Sequence, residues 1–287
     1  MSVSKYLFLL LSLLLLSCNT GNDDTVPPMT DMGDDTSNLP NTGRIRTVND
    51  GFEITYEYND DDRLIKASGD DANQTIENTY TYDGDGNVML KGVYEFFQHG
   101  NVFDIQFSYE YDAEGKIIAF GHNQGENAVV TYQENQATAD FGSGPVLVVV
   151  NLDANGRVVR LETSYFYKIF TYDIRGNLIL NEEYDSDTDE LTKTYQYTYD
   201  TNINPFFNQV GSKYVADFIF LFWGSGWTFN ESTNYDFPYL PNNLTSISYN
   251  NEQPITFTYT YNSENQIVEA IENDPSNGIT NYSFTYY

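Results

Sequence analysis

The stretch Tyr109-Glu110-Tyr111-Asp112-Ala113-Glu114-Gly115-Lys116-Ile117-Ile118 reads as strand, tight turn, strand. Upstream, Phe103, Ile105, Phe107, Tyr109 and Tyr111 alternate with Asp104, Gln106, Ser108 and Glu110. A period of two marks a half-buried strand. Gly115 tolerates a left-handed backbone, and Asp112, three residues earlier, can accept hydrogen bonds from the turn's own amides. Together they predict a type I turn closed by a left-handed residue, a common hairpin connection.

The chain repeats this unit. It appears at Tyr58-Asn59 to Leu64-Ile65, Tyr82-Asp83 to Val88-Met89, Leu152-Asp153 to Val158-Val159, Tyr172-Asp173 to Leu178-Ile179 and Tyr261-Asn262 to Ile267-Val268. The left-handed position falls on Asp62, Gly86, Gly115, Gly156, Gly176 and Asn265, all residue types that accept it. We assign these six as structural turn residues. The tract from Gln133 to Asn151 is a degenerate copy, with strands near Ala128–Tyr132 and Val146–Val150. The pattern predicts an all-β fold, a long antiparallel meander of roughly 16–18 strands, strongly curved or closed into a barrel-like sheet.

The repeat breaks after Tyr199-Asp200. Asn204 suits a helix N-cap and Pro205 a first helical position. Phe206, Val210, Tyr214, Phe218 and Phe222 then fall four apart, and Gly224 and Gly226 follow. This predicts one helix over about 205–222, packed on the inner face of the sheet. The segment 204–243 is an insert into one repeat-built domain, 43–287.

Composition excludes several functions. Thirteen Lys and Arg stand against 42 Asp and Glu, a formal charge of −29. Nucleic acid, which needs Lys and Arg, is not a partner. His99 and His122 are the only histidines and Cys18 the only cysteine, too few for a zinc-type ligand set. No metal or cofactor is expected. Asp83-Gly84-Asp85-Gly86-Asn87 has the acids of a calcium loop, but strands flank it, and the turn already accounts for its residues. There is no phosphate loop and no Gly-x-Ser-x-Gly elbow. A hydrolase that needs only a carboxylate pair stays open among so many acids; the expectation is a protein without enzymatic activity. Trp223, Trp227, Tyr235 and Tyr239 cluster near the helix exit and are candidate ligand-binding aromatics, or plug residues for a rolled sheet.

At the N-terminus, Lys5 precedes an apolar run from Tyr6 to Leu16, a signal-peptide pattern over residues 1–17. Leu15-Leu16-Ser17-Cys18 resembles the bacterial lipobox, which implies lipid on Cys18 and a bilayer as partner. Residues 18–42 are polar and acidic and read as a flexible tether. Asp23 and Asp24 resemble a surface-export signal, and Asp24-Thr25-Val26 resembles an O-glycosylation site at Thr25, both patterns of Bacteroidetes lipoproteins.

The Tyr-Asp hairpins, the break at Asp200 to Pro205-Phe206 and the return at Asn242-Asn243-Leu244-Thr245 resemble Bacteroidetes lipoproteins of unknown function from Arg44 to Tyr287. That group implies a porin-like or rolled β-meander fold. The hairpins also resemble the Tyr-Asp repeats of Rhs-type proteins. The resemblance implies an outer-membrane lipoprotein on the surface or periplasmic face. Apart from the resemblance, the expectation is a monomeric binding or structural module, with a glycan or another surface protein as its partner. One alternative is a glycan-binding or glycan-processing accessory. Another is a transmembrane β-barrel, with the terminal Phe284-Thr285-Tyr286-Tyr287 as its assembly signal and strands of about 9–11 residues.

Overall fold

The computed structural model describes residues 43–97, 102–125, 127–142, 147–207, 214–223 and 239–287, with side chains of 220–223 excepted. Its strands are β1 (Ile45–Asn49), β2 (Glu53–Tyr58), β3 (Leu64–Asp70), β4 (Gln74–Tyr82), β5 (Val88–Phe97), β6 (Val102–Tyr111), β7 (Ile117–His122), β8 (Asn127–Gln133) and β9 (Gln136–Asp140). The second half has β10 (Leu147–Leu152), β11 (Val158–Glu162), β12 (Phe166–Tyr172), β13 (Leu178–Asp185), β14 (Leu191–Ile203), helix α1 (Tyr214–Trp223), β15 (Asn242–Tyr249), β16 (Ile255–Tyr261), β17 (Ile267–Asp274) and β18 (Gly278–Tyr286).

Each strand pairs antiparallel with its sequence neighbours, and β18 returns to β1 with Ile45 opposite Tyr286 and Asn49 opposite Ser283. The meander is therefore a closed 18-stranded barrel, without a free edge strand among the described residues. Closure satisfies the backbone groups that an open meander leaves exposed at each side.

Strict up-and-down order sorts the connections between two rims. All six repeated turns lie on one rim. The β14–β15 insert and both ends of the barrel, Gly43 and Tyr287, share that rim. The degenerate tract contributes β9 and β10, and its rim connection is only Glu134-Asn135.

The pleat sorts polarity. Tyr197 opposite Ile247 and Ile247 opposite Ile255 form a file on the inner face, as do Phe170, Asn181 and Tyr195. Thr198, Ser246, Thr256 and Asn273 form the matching outer file. Glu57, Lys66 and Thr79 form another. Along these files the alternation places mainly aromatic and aliphatic residues inside and hydroxyl or charge outside; elsewhere the outer face also carries Val129, Leu147 and Ile271, and the inner face Lys168, Glu183 and Glu272.

The helix differs from its expected span. α1 begins at Tyr214, and Asn204 and Pro205 open a turn in which the Phe207 amide donates to the Asn204 carbonyl at 2.9 Å. Asn204 does cap, but it caps that turn: its Oδ1 accepts from the Phe206 amide at 2.9 Å. Residues 208–213, part of the expected helix, lie outside the described residues. The inner-face placement holds, since Tyr214, Ala216, Phe218 and Ile219 are buried in the barrel core.

Candidate functional site at the turn rim

The repeated turns are built alike. The Asp83 amide donates to the Asn87 carbonyl at 3.0 Å, and the Gly86 amide returns to the Asp83 carbonyl at 3.3 Å. Asp83 Oδ1 accepts from the amides of Asp85 and Asn87 at 2.9 and 2.8 Å. Asn59, Asp112, Asp153, Asp173 and Asn262 do the same in their own turns. Partial burial alone would raise the Asp83 carboxyl, but hydrogen bonds from Asn87, Asp85 and Gly86 outweigh it and hold the group below its ordinary value. The closing residues are all left-handed, with φ of 71° at Asp62, 88° at Gly86, 76° at Gly115, 77° at Gly156, 93° at Gly176 and 60° at Asn265.

A second regularity joins one hairpin to the next. Tyr82 Oη donates to the Leu64 carbonyl at 2.5 Å, Tyr111 to Val88 at 2.9 Å, Tyr172 to Val158 at 2.8 Å and Tyr199 to Leu178 at 2.7 Å. In each pair the acceptor is the first aliphatic residue after the preceding turn. In these four places the tyrosine is a staple, a bond that Phe could not make. In the sequence these rings show only as the buried side of a strand. Tyr172→Phe is expected to cost about 1–2 kcal/mol in urea unfolding, because it removes this bond and the contact with Tyr214 Oη while keeping the ring.

The insert plugs the barrel from this rim. Its root is a buried amide network. Asn177 and Asn242 exchange bonds at 2.9 and 3.1 Å, and Asn204 Nδ2 donates to the Leu240 carbonyl at 3.1 Å. The Asp200 carboxylate accepts from the Asn202 and Asn243 amides, the Asn243 side chain and Tyr261 Oη. Phe206 packs on Tyr56 with centroids 5.7 Å apart. Higher up, Tyr214 Oη accepts from the Val158 amide at 3.0 Å, and Phe218 meets Phe170 edge-on at 4.7 Å.

Tyr239 is 1% exposed, packs edge-on against Tyr214 at 5.1 Å and donates to Asp217 Oδ2 at 2.9 Å. Among the described residues it packs in the core, the place the plug alternative gives it. Buried aromatics filling a wide lumen explain the placement. The Trp223 side chain, Trp227 and Tyr235 lie outside the described residues, as do Cys18 and Thr25.

Not every unit carries the staple: Tyr261 donates to Asp200 instead, and two neighbouring positions on the rim lack it. Leu152 occupies the tyrosine position of its unit and has no hydroxyl to give. Tyr132, on β8, makes no hydrogen bond through its hydroxyl among the described residues; burial and Asp112 push that hydroxyl up to about 12. Between these positions lies a cavity of about 260 Å³, lined by the apolar Ile117, Leu152 and Val215 and by the charged Glu114, Lys116, Glu134 and Asp153. The short Glu134-Asn135 connection leaves it open, because no five-residue turn stands there. The Lys116 ammonium lies 5.5 Å from the centre of the Tyr132 ring.

Toward the other rim, the inner face holds charge. Glu183 bridges Lys168 at 3.2 Å and Lys193 at 2.8 Å. Burial lowers the Lys168 ammonium below its ordinary value, against the attraction of Glu183.

No family model and no curated protein matches the chain. Among solved structures it is similar to a porin-like protein from Bacteroides uniformis ATCC 8492, at 14% identity and a TM-score of 0.39, covering 85% of this chain and 98% of that one. A porin-like protein from Bacteroides vulgatus ATCC 8482 matches at 10% identity and a TM-score of 0.36, covering 85% and 99%. A structure of TcdB2-TccC3-TEV matches at 13% identity and a TM-score of 0.31, covering 77% of this chain and 12% of that one.

Proposed function

We propose that this protein is a lipid-tethered barrel of the outer membrane that sits in water and serves as a non-enzymatic binding or structural module; the lipobox-like Leu15-Leu16-Ser17-Cys18 supports the tether. The observation that carries this is the polarity of the outer face. Glu57, Lys66, Glu77, Arg160, Glu162 and Glu269 all stand on it. A Lys or Arg facing lipid costs about 2–4 kcal/mol at the bilayer midplane. β9 and β11 have 5 residues each, against the roughly 9–11 needed to span. The transmembrane reading shares the closed barrel but needs the apolar face outside. Here most of the large apolar side chains face inward, where α1 packs among them.

The anchor is then the lipid on Cys18. Cells grown with an alkynyl fatty acid should yield labelled wild-type protein and unlabelled Cys18→Ala. Equal labelling of the two, or none in the wild type, contradicts the tether.

A further inference from the structure

We propose that the rim cavity between Tyr132 and Leu152 binds a single neutral pyranose, the free end of a glycan. The proposal rests on reading the barrel as a binding module, and its test is independent of the anchor.

The cavity arises where two staples are missing together. In every stapled unit a tyrosine ring lies under the turn with its hydroxyl on the neighbouring strand's carbonyl. Leu152 leaves that volume empty next to β9, and Tyr132 keeps its ring but not its bond. The volume of about 260 Å³ suits one sugar ring.

The lining selects against other ligands. Glu114 and Glu134, within a chain of net charge −29, repel anions. The lining carboxylates Glu114, Glu134 and Asp153 do not converge into a group that could hold a metal ion among the described residues. A cationic ligand would compete with the Lys116 ammonium already over the Tyr132 ring. A pyranose fits what is left. Its C–H face packs on the apolar lining and the aromatic wall. Its hydroxyls need donors and acceptors side by side, and Lys116, Tyr132 and the Glu114 and Glu134 carboxylates supply both.

The test is saturation-transfer NMR on the full-length mature protein in detergent micelles, with the methyl glycosides of glucose, galactose, mannose and N-acetylglucosamine as probes. At least one should receive transfer. Leu152→Tyr restores the ring that the other repeats carry, so it should weaken that signal by about tenfold or more while keeping the β circular-dichroism spectrum. Should that variant lose its fold, the exposed Lys116→Gln replaces it, with an expected weakening of about threefold to tenfold. No transfer from any probe overturns the proposal, and so does unchanged transfer in a folded Leu152→Tyr or Lys116→Gln protein.

Discussion

Asp200→Ala is expected to destabilise the barrel by about 3–5 kcal/mol in equilibrium urea unfolding. The carboxylate gathers the Asn202 amide at 2.9 Å, the Asn243 amide at 3.3 Å and the Asn243 side chain at 3.2 Å, together with Tyr261 Oη. Asn243 is 1% exposed, so water cannot replace the lost acceptor there. Each donor left without a partner carries its own desolvation cost. The network also fixes where the chain leaves β14 and re-enters at β15, and the insert that fills the lumen hangs from these two strands. A loss below about 1 kcal/mol would show that the insert is held by its apolar contacts alone.

Glu183→Ala is expected to cost about as much, roughly 3–5 kcal/mol, because it strands Lys168 among buried groups. Lys168 is 3% exposed and Glu183 is its ion-pair partner. Lys168→Met should cost less, since Lys193 still neutralises Glu183 and the thioether fills the same space. The ordering of the two variants is the test; an equal or reversed order would mean that packing, not charge, sets the cost.

The same site gives a pH dependence. Burial would raise the Glu183 carboxyl, but Lys193 and Lys168 outweigh it and hold the group below its ordinary value of 4.5. A carboxyl lowered on folding contributes stability above that ordinary value and loses it as pH falls through the folded one. Stability of the wild type should therefore fall more steeply below about pH 4.5 than stability of Glu183→Gln.

The parts of the fold that are local were legible in the sequence. Alternation along Phe103 to Tyr111 gives the strand and its buried side, because both follow from a period of two. Asp112 and Gly115 give the turn, because its hydrogen bonds close within five residues. Barrel closure is not local: it depends on Ile45 meeting Tyr286, and no nearby residue announces it. The tyrosine staples escape for the same reason. Tyr172 and Val158 are close only because two hairpins lie side by side.

The helix start shows a local signal with two valid outcomes. Asn204-Pro205 opens a helix or a turn equally well, and burial of Phe206 against Tyr56 accompanies the turn. The rim cavity left a faint mark, Leu152 in place of tyrosine before Asp153, which reads as conservative until the role of the hydroxyl is known.

The central claim is a barrel that lives in water and reaches the membrane only through its tether. Its most direct measurement is detergent phase separation of the full-length protein carrying a protease site inserted between Asp31 and Met32. Before cleavage the protein should enter the detergent phase with its lipid. After cleavage the barrel should move to the aqueous phase as a folded monomer. A cleaved barrel that stays in the detergent phase would contradict the account and place the strands themselves in the bilayer.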